Sequence, residues 1–101
     1  MTEIRTEPVE AEGFQDLKSF RDARRPGSFH IAEDGEDIYF WSFCPCGCGA
    51  QSSIPIGRNI KPDESPSWNW NGDEAKPTLE PSINHVGHWH GWLRDGIWSS
   101  C

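Results

Sequence analysis

His88-Trp89-His90-Gly91-Trp92-Leu93-Arg94-Asp95-Gly96-Ile97-Trp98-Ser99-Ser100-Cys101 is the stretch on which the fold turns. Two runs rich in aromatic and branched side chains flank Asp95-Gly96, a dipeptide that accepts the positive φ angles of a type I′ hairpin turn. A two-residue loop pairs Arg94 with Ile97 and Leu93 with Trp98. Counting outward, Trp92 faces Ser99, Gly91 faces Ser100 and His90 faces Cys101. Directly opposed residues of an antiparallel pair have Cβ atoms about 4.5–5.5 Å apart, so His90 and Cys101 are expected to reach one metal ion together.

The other half of that expected site lies upstream, in Cys44-Pro45-Cys46-Gly47-Cys48-Gly49. Gly47 and Gly49 permit the backbone turns that wrap thiolates around an ion. Zinc favours four tetrahedral Cys and His ligands, and a structural site fills all four from the protein. The predicted ligands are Cys44, Cys48, His90 and Cys101, with Cys46 and His88 as alternates, around one structural zinc ion. The need for such a staple follows from composition. The 101 residues fit a single domain, 1–101, yet only 35% are hydrophobic, while 10 Gly and 8 Pro make the chain rich in loops. The N-terminus shows no apolar leader and no stretch is long enough to span a bilayer. The expected compartment is therefore the cytoplasm, where clustered cysteines bind metal more often than they form disulfides.

The remaining chain reads as mainly β, with one short helix. Residues 1–12 are polar and suggest an edge strand or a loose arm. Phe14, Leu17 and Phe20 recur every third position, which predicts a helix over 13–24 closed by Pro26-Gly27. Ser28–Ala32 and Asp37–Phe43 read as a hairpin around Asp34-Gly35, and Ser53–Ile56 as a further strand. Residues 57–77 read as a long ordered loop, and Thr78–Ile83, broken by Pro81, as an edge strand or extended segment.

Charge narrows the partners. Sixteen acidic against nine basic side chains give a net charge of −7, which argues against a dominant contact with nucleic-acid phosphates. Six tryptophans are many for this length, and Trp is enriched at interface hot spots. Trp68, Trp70 and Trp89 are the expected contacts with a protein partner, and Trp41 and Trp98 the expected core. An aromatic surface of this kind would also permit self-association.

The segments Phe43-Cys44-Pro45-Cys46-Gly47-Cys48-Gly49, Trp68-Asn69-Trp70, Lys76-Pro77-Thr78-Leu79-Glu80-Pro81-Ser82-Ile83 and His88-Trp89-His90-Gly91-Trp92-Leu93 carry a resemblance. Over about residues 40–101 the chain resembles a family of small bacterial and phage proteins, a domain of unknown function whose members are often labelled ammonia monooxygenase. The resemblance implies a metal-binding β-rich module, with no established activity, and a phage or prophage product acting in a bacterial host.

Together these observations favour a non-enzymatic zinc-binding module, a phage accessory protein that engages a host or virion protein. Two alternatives stand beside it. One is a metal-dependent hydrolase using His85, His88 and His90 with Glu80 as general base. The other is a nucleic-acid binder of the zinc-ribbon kind.

Overall fold

In the computed structural model, which describes residues 6–63, 66–85 and 88–100, the chain forms one strongly curled sheet with a short helix on its outside. The eight strands among the described residues are β1 (Val9–Glu10), β2 (Phe29–Asp34), β3 (Asp37–Phe43), β4 (Gln51–Arg58), β5 (Trp68–Trp70), β6 (Leu79–His85), β7 (Trp89–Arg94) and β8 (Ile97–Ser100). Their order across the sheet is β1-β8-β7-β6-β5-β4-β3-β2, antiparallel except between β4 and β5.

The final hairpin has the register that its turn dictates. Arg94 pairs with Ile97, Leu93 with Trp98, Trp92 with Ser99 and Gly91 with Ser100. Asp95 and Gly96 have φ angles of 50° and 75°, as a type I′ turn requires. The β2–β3 hairpin differs by one position: Asp34 pairs with Asp37, so the loop is Gly35-Glu36 rather than Asp34-Gly35.

Residues 9–14 close the sheet on itself. Val9 and Glu10 pair with β8, and the Ala11 N–H donates to the Gly96 carbonyl. The same segment then crosses to β2, where the Phe29 N–H donates to Glu12 and the Phe14 N–H to Phe29. Gly13 makes this crossing possible, because a Cβ there would stand 2.9 Å from the Phe29 ring. The edge strand expected near the N-terminus thus serves to cover two sheet edges, which exposed would invite pairing with another chain.

Alternation sets the core. Ile38, Phe40 and Cys44 of the third strand and its extension point inward, as do Trp70, Leu79, Ile83, Trp89, Leu93 and Trp98. Trp98 donates its indole N–H to the Gly27 carbonyl across the interior at 2.8 Å. Gly91, also inward, is held against β8; a Cβ there would overlap the Ser99 carbonyl and the Trp89 ring. Gly91→Ala is expected to cost about 1–3 kcal/mol through overpacking, read as a lower midpoint in urea unfolding.

The helix α1 (Leu17–Ala23) is shorter than the predicted 13–24. Asp16 caps it by accepting from the Ser19 N–H at 2.9 Å, and Arg24 ends it with φ 50° before Pro26 is reached. Phe20 anchors it against Phe43, ring to ring at 4.8 Å.

Two further expectations are corrected. The segment 57–77 is not all loop: Trp68–Trp70 forms β5, its N–H and C=O groups shared between β4 and β6. The strand after it is not an edge; β6 lies between β5 and β7, and the irregularity expected at Pro81 is absorbed as a shift of register. Trp70 and Trp89 are fully buried, which leaves neither ring for a partner, while Trp68 is half-buried. Trp98 is core, as expected.

Candidate functional site

Ser82 and His90 meet on the outer face of β6 and β7. On β7, Trp89, Gly91 and Leu93 face inward, so His90, Trp92 and Arg94 face out. On β6, Asn84 pairs with His90, which makes Ser82 the diagonal neighbour of His90. Diagonal Cβ atoms lie about 7–8 Å apart, within reach of a longer side chain. The imidazole spans that gap, and its Nε2 stands 3.0 Å from Ser82 Oγ. Both residues are half-buried, shielded yet open to a ligand.

The backbone at Ser82 departs from a regular ladder. Between the pairs Leu79–Leu93 and Ile83–Gly91 the chain advances four residues along β6 against two along β7. Pro81 offers no N–H to that ladder. On the other side, β5 reaches only Leu79 and Glu80 by strand pairing. The Ser82 carbonyl is instead satisfied by a side chain, the Trp68 indole N–H at 3.2 Å. Bulges of this kind re-aim a side chain, and they recur beside active sites.

Two buried polar atoms have no hydrogen-bond partner among the described residues, Asn69 Oδ1 on β5 and His85 Nε2 on β6. His85 stands edge-on to Trp89 with ring centroids 6.5 Å apart. Burial, with a smaller contribution from the nearby His88, pushes its pKa below the usual 6.5. A histidine held neutral in the fold takes up a proton more readily when unfolded, so stability rises with pH through this range. The melting temperature is expected to fall as pH drops below 6.5, and His85→Gln should flatten that slope in a pH series of thermal scans.

The second constellation is a cluster of thiols. The Sγ atoms of Cys44, Cys46 and Cys48 all lie within 4.8 Å of one another. Four thiolates about 2.3 Å from a tetrahedral zinc would be spaced roughly 3.8 Å apart, so the spacing fits such an ion. The turn is built for it. Gly47 and Gly49 have φ of 87° and 84°, the Cys44 N–H donates to the Ala50 carbonyl, and the Ala50 N–H points at Cys48 Sγ at 3.4 Å. Cys44 is fully buried, Cys46 half-buried and Cys48 exposed. Burial pushes the Cys44 thiol up to about 12. For Cys48 burial also acts upward, but the Ala50 N–H and the neighbouring thiols outweigh it, and its pKa falls below the ordinary value.

The sequence-predicted ligands are thus partly assembled. Cys44 and Cys48 lie together, and Cys46, expected only as an alternate, is as close as either. The ring of His90 is engaged by Ser82, and His88 is exposed in the turn before β7. Cys101 lies outside the described residues. Strand directions bring the ends of β3, β6 and β8 to one rim of the curled sheet; the thiol cluster lies at that rim, just past β3, while Ser82 is midway along β6. Ser82 is not among the sequence-predicted site residues. Its signal was faint: a serine in Pro81-Ser82-Ile83 acquires a partner only once β6 is known to pair with β7.

A family model described as BubE, bacterial ubiquitination-like system serine protease, matches residues 16–101. Comparison with curated proteins and with solved structures returned no match. The family match overturns the expectation of a non-enzymatic phage module that works through protein contacts, because the matched family is a protease of a bacterial system. It lends no support to the metal-dependent hydrolase or nucleic-acid readings. No helix among the described residues is long and apolar enough to cross a membrane.

Proposed function

The chain belongs to the BubE family, described as serine proteases of bacterial ubiquitination-like systems, and from that premise we propose that Ser82 and His90 are its nucleophile and general base. The observation that carries this reading is the 3.0 Å contact between Ser82 Oγ and His90 Nε2. A serine hydroxyl is a weak nucleophile until a base within hydrogen-bond reach removes its proton. The pair serves that chemistry when the imidazole carries its own proton on Nδ1 and leaves Nε2 as the acceptor.

The steps follow from these two groups. Ser82 Oγ attacks the carbonyl carbon of a peptide or isopeptide bond, its proton passes to His90 Nε2, and the carbonyl π electrons move onto oxygen. As that oxygen reforms the double bond, the C–N bond breaks and the departing nitrogen takes the proton from Nε2. A water then gives a proton to Nε2 and attacks the ester carbon, and the same proton returns to Ser82 Oγ as the acid leaves. The substrate class is a polypeptide conjugate or precursor of the ubiquitination-like system that names the family.

Cys44, Cys46 and Cys48 are proposed as three of the four ligands of a structural zinc ion. When bound, zinc would hold the β3–β4 turn rigid; no step of the cleavage passes through it. The assignment of the nucleophile is tested with a fluorophosphonate probe, which phosphonylates an activated serine without requiring the natural substrate. Peptide mapping by mass spectrometry should place the adduct on Ser82, lost when His90 is replaced by glutamine. An adduct on a different serine, or a wild-type chain that stays unlabelled, would overturn it.

A further inference from the structure

We infer that Asn69 donates the hydrogen bond that receives the carbonyl oxygen of the scissile bond as negative charge gathers on it, an assignment that rests on Ser82 being the nucleophile. Asn69 pairs with Glu80 across β5 and β6, two residues before Ser82. Ser82 is tied to β5 by the Trp68 indole, which donates to its carbonyl at 3.2 Å, so the Asn69 amide and the Ser82 hydroxyl stand on adjacent strands.

The side chain is anomalous as it stands. Asn69 Oδ1 is fully buried and has no hydrogen-bond partner among the described residues. A buried acceptor left unpaired costs about 1–3 kcal/mol, and native structures keep such groups where function requires them or where something else fills the gap. The oxygen and nitrogen of an amide are distinguished only by their bonding surroundings. Turned by half a rotation about χ2, the same group sets an NH₂ in a desolvated position with no acceptor of its own. That is the arrangement an oxyanion calls for: a donor fixed in advance, awaiting charge that appears only in the transition state.

The neighbours hold it there. Trp68, on one side, donates to the carbonyl of Ser82 itself at 3.2 Å. Trp70, on the other, donates to the Asp73 carbonyl at 3.1 Å and lies under the Arg58 guanidinium at 5.1 Å. Asn69 is therefore carried on a strand fixed on either side of it by indoles that anchor on the opposite face, one of them bonded to the nucleophile's backbone. Serine hydrolases often recruit backbone N–H groups beside the nucleophile for this duty. An asparagine side chain can share that duty.

The test compares wild type, Asn69→Leu and Asn69→Asp by fluorophosphonate labelling, with the maximal labelling rate separated from the half-saturating probe concentration. Phosphonylation also builds charge on an oxygen, so both variants should lose about 10²- to 10³-fold in maximal rate, with the half-saturating concentration unchanged. Asn69→Leu removes the unpaired acceptor, so its thermal midpoint should hold or rise. A merely structural asparagine would not slow the reaction while leaving the fold as stable. Asn69→Asp keeps the volume and answers the question should the leucine variant fail to fold. Labelling at the wild-type maximal rate in either folded variant overturns the inference, and so does a change confined to the half-saturating concentration. If wild type itself is unlabelled, the nucleophile assignment has failed and this inference with it; if wild type labels at Ser82 and the variants keep pace, only the inference has failed.

Discussion

Ser82→Ala is expected to abolish turnover, by on the order of 10⁶-fold in kcat, while the protein remains folded. The magnitude comes from serine proteases whose nucleophile and base act as one unit: removing either costs about as much as removing both. His90→Ala should therefore match Ser82→Ala, and the double variant should be no slower than either single one. The cost to stability is small by comparison. The lost contact is one half-buried hydrogen bond, for which about 1 kcal/mol is a typical net value, and neither side chain belongs to the inward-facing set that forms the core. The measurement is cleavage of a conjugate from the ubiquitination-like system, with circular dichroism confirming the fold. Two single variants whose losses multiply in the double variant would mean that Ser82 and His90 act independently, and the dyad would have to be abandoned.

What the sequence made legible, and what it hid, divides along the difference between local and non-local determinants. Asp95-Gly96 fixes its own turn, the turn fixes the register, and four residue pairs followed correctly from counting. The bounds Asp37–Phe43 are legible because a run dominated by Ile and aromatic residues ends at a cysteine–proline break. The cluster at Cys44, Cys46 and Cys48 was legible for the same reason, being one short turn.

Elements whose existence depends on distant partners were not. Trp68–Trp70 is three residues long in a polar, proline-rich setting and becomes a strand only because β4 and β6 flank it. The exposed reading failed for Trp70, whose indole fills space that no local pattern reveals, while Trp68 stays half-buried. The serine–histidine pair is the sharpest case. His90 stands out in the sequence and Ser82 does not, because their meeting requires β6 to lie beside β7 with two extra residues accommodated around Pro81. The expected reading gave His90 a metal because the nearest partner visible to local counting was a cysteine. Once the fold supplies a serine hydroxyl 3.0 Å from Nε2, acid–base work becomes the better use of the same ring.

Cys48→Ser is the substitution that separates a metal site from three neighbouring thiols. Cys48 is exposed, and exchanging an exposed side chain that holds nothing shifts stability by no more than about 0.5 kcal/mol. Cys44, fully buried, offers no such discrimination, since its replacement would disturb the core with or without an ion. If zinc is bound, Cys48 is a ligand on equal terms with the buried one. Structural zinc contributes apparent free energies of about 10–16 kcal/mol in small zinc-folded peptides, comparable to the whole stability of an ordinary domain, about 5–15 kcal/mol. The serine variant should then lose several kcal/mol, and each kcal/mol lowers the melting temperature of a domain this size by roughly 4–8 °C. Elemental analysis should find one zinc per wild-type chain and less in the Cys46→Ser and Cys48→Ser variants. An unchanged melting temperature for Cys48→Ser, with no zinc in the wild type, would dismiss the ion. Chelation also tests how the two constellations relate. Because bond making and breaking fall to Ser82 and His90, labelling of Ser82 should decline in step with the folded fraction as zinc is withdrawn, and a loss of labelling that ran ahead of unfolding would require the ion to act on the reaction itself.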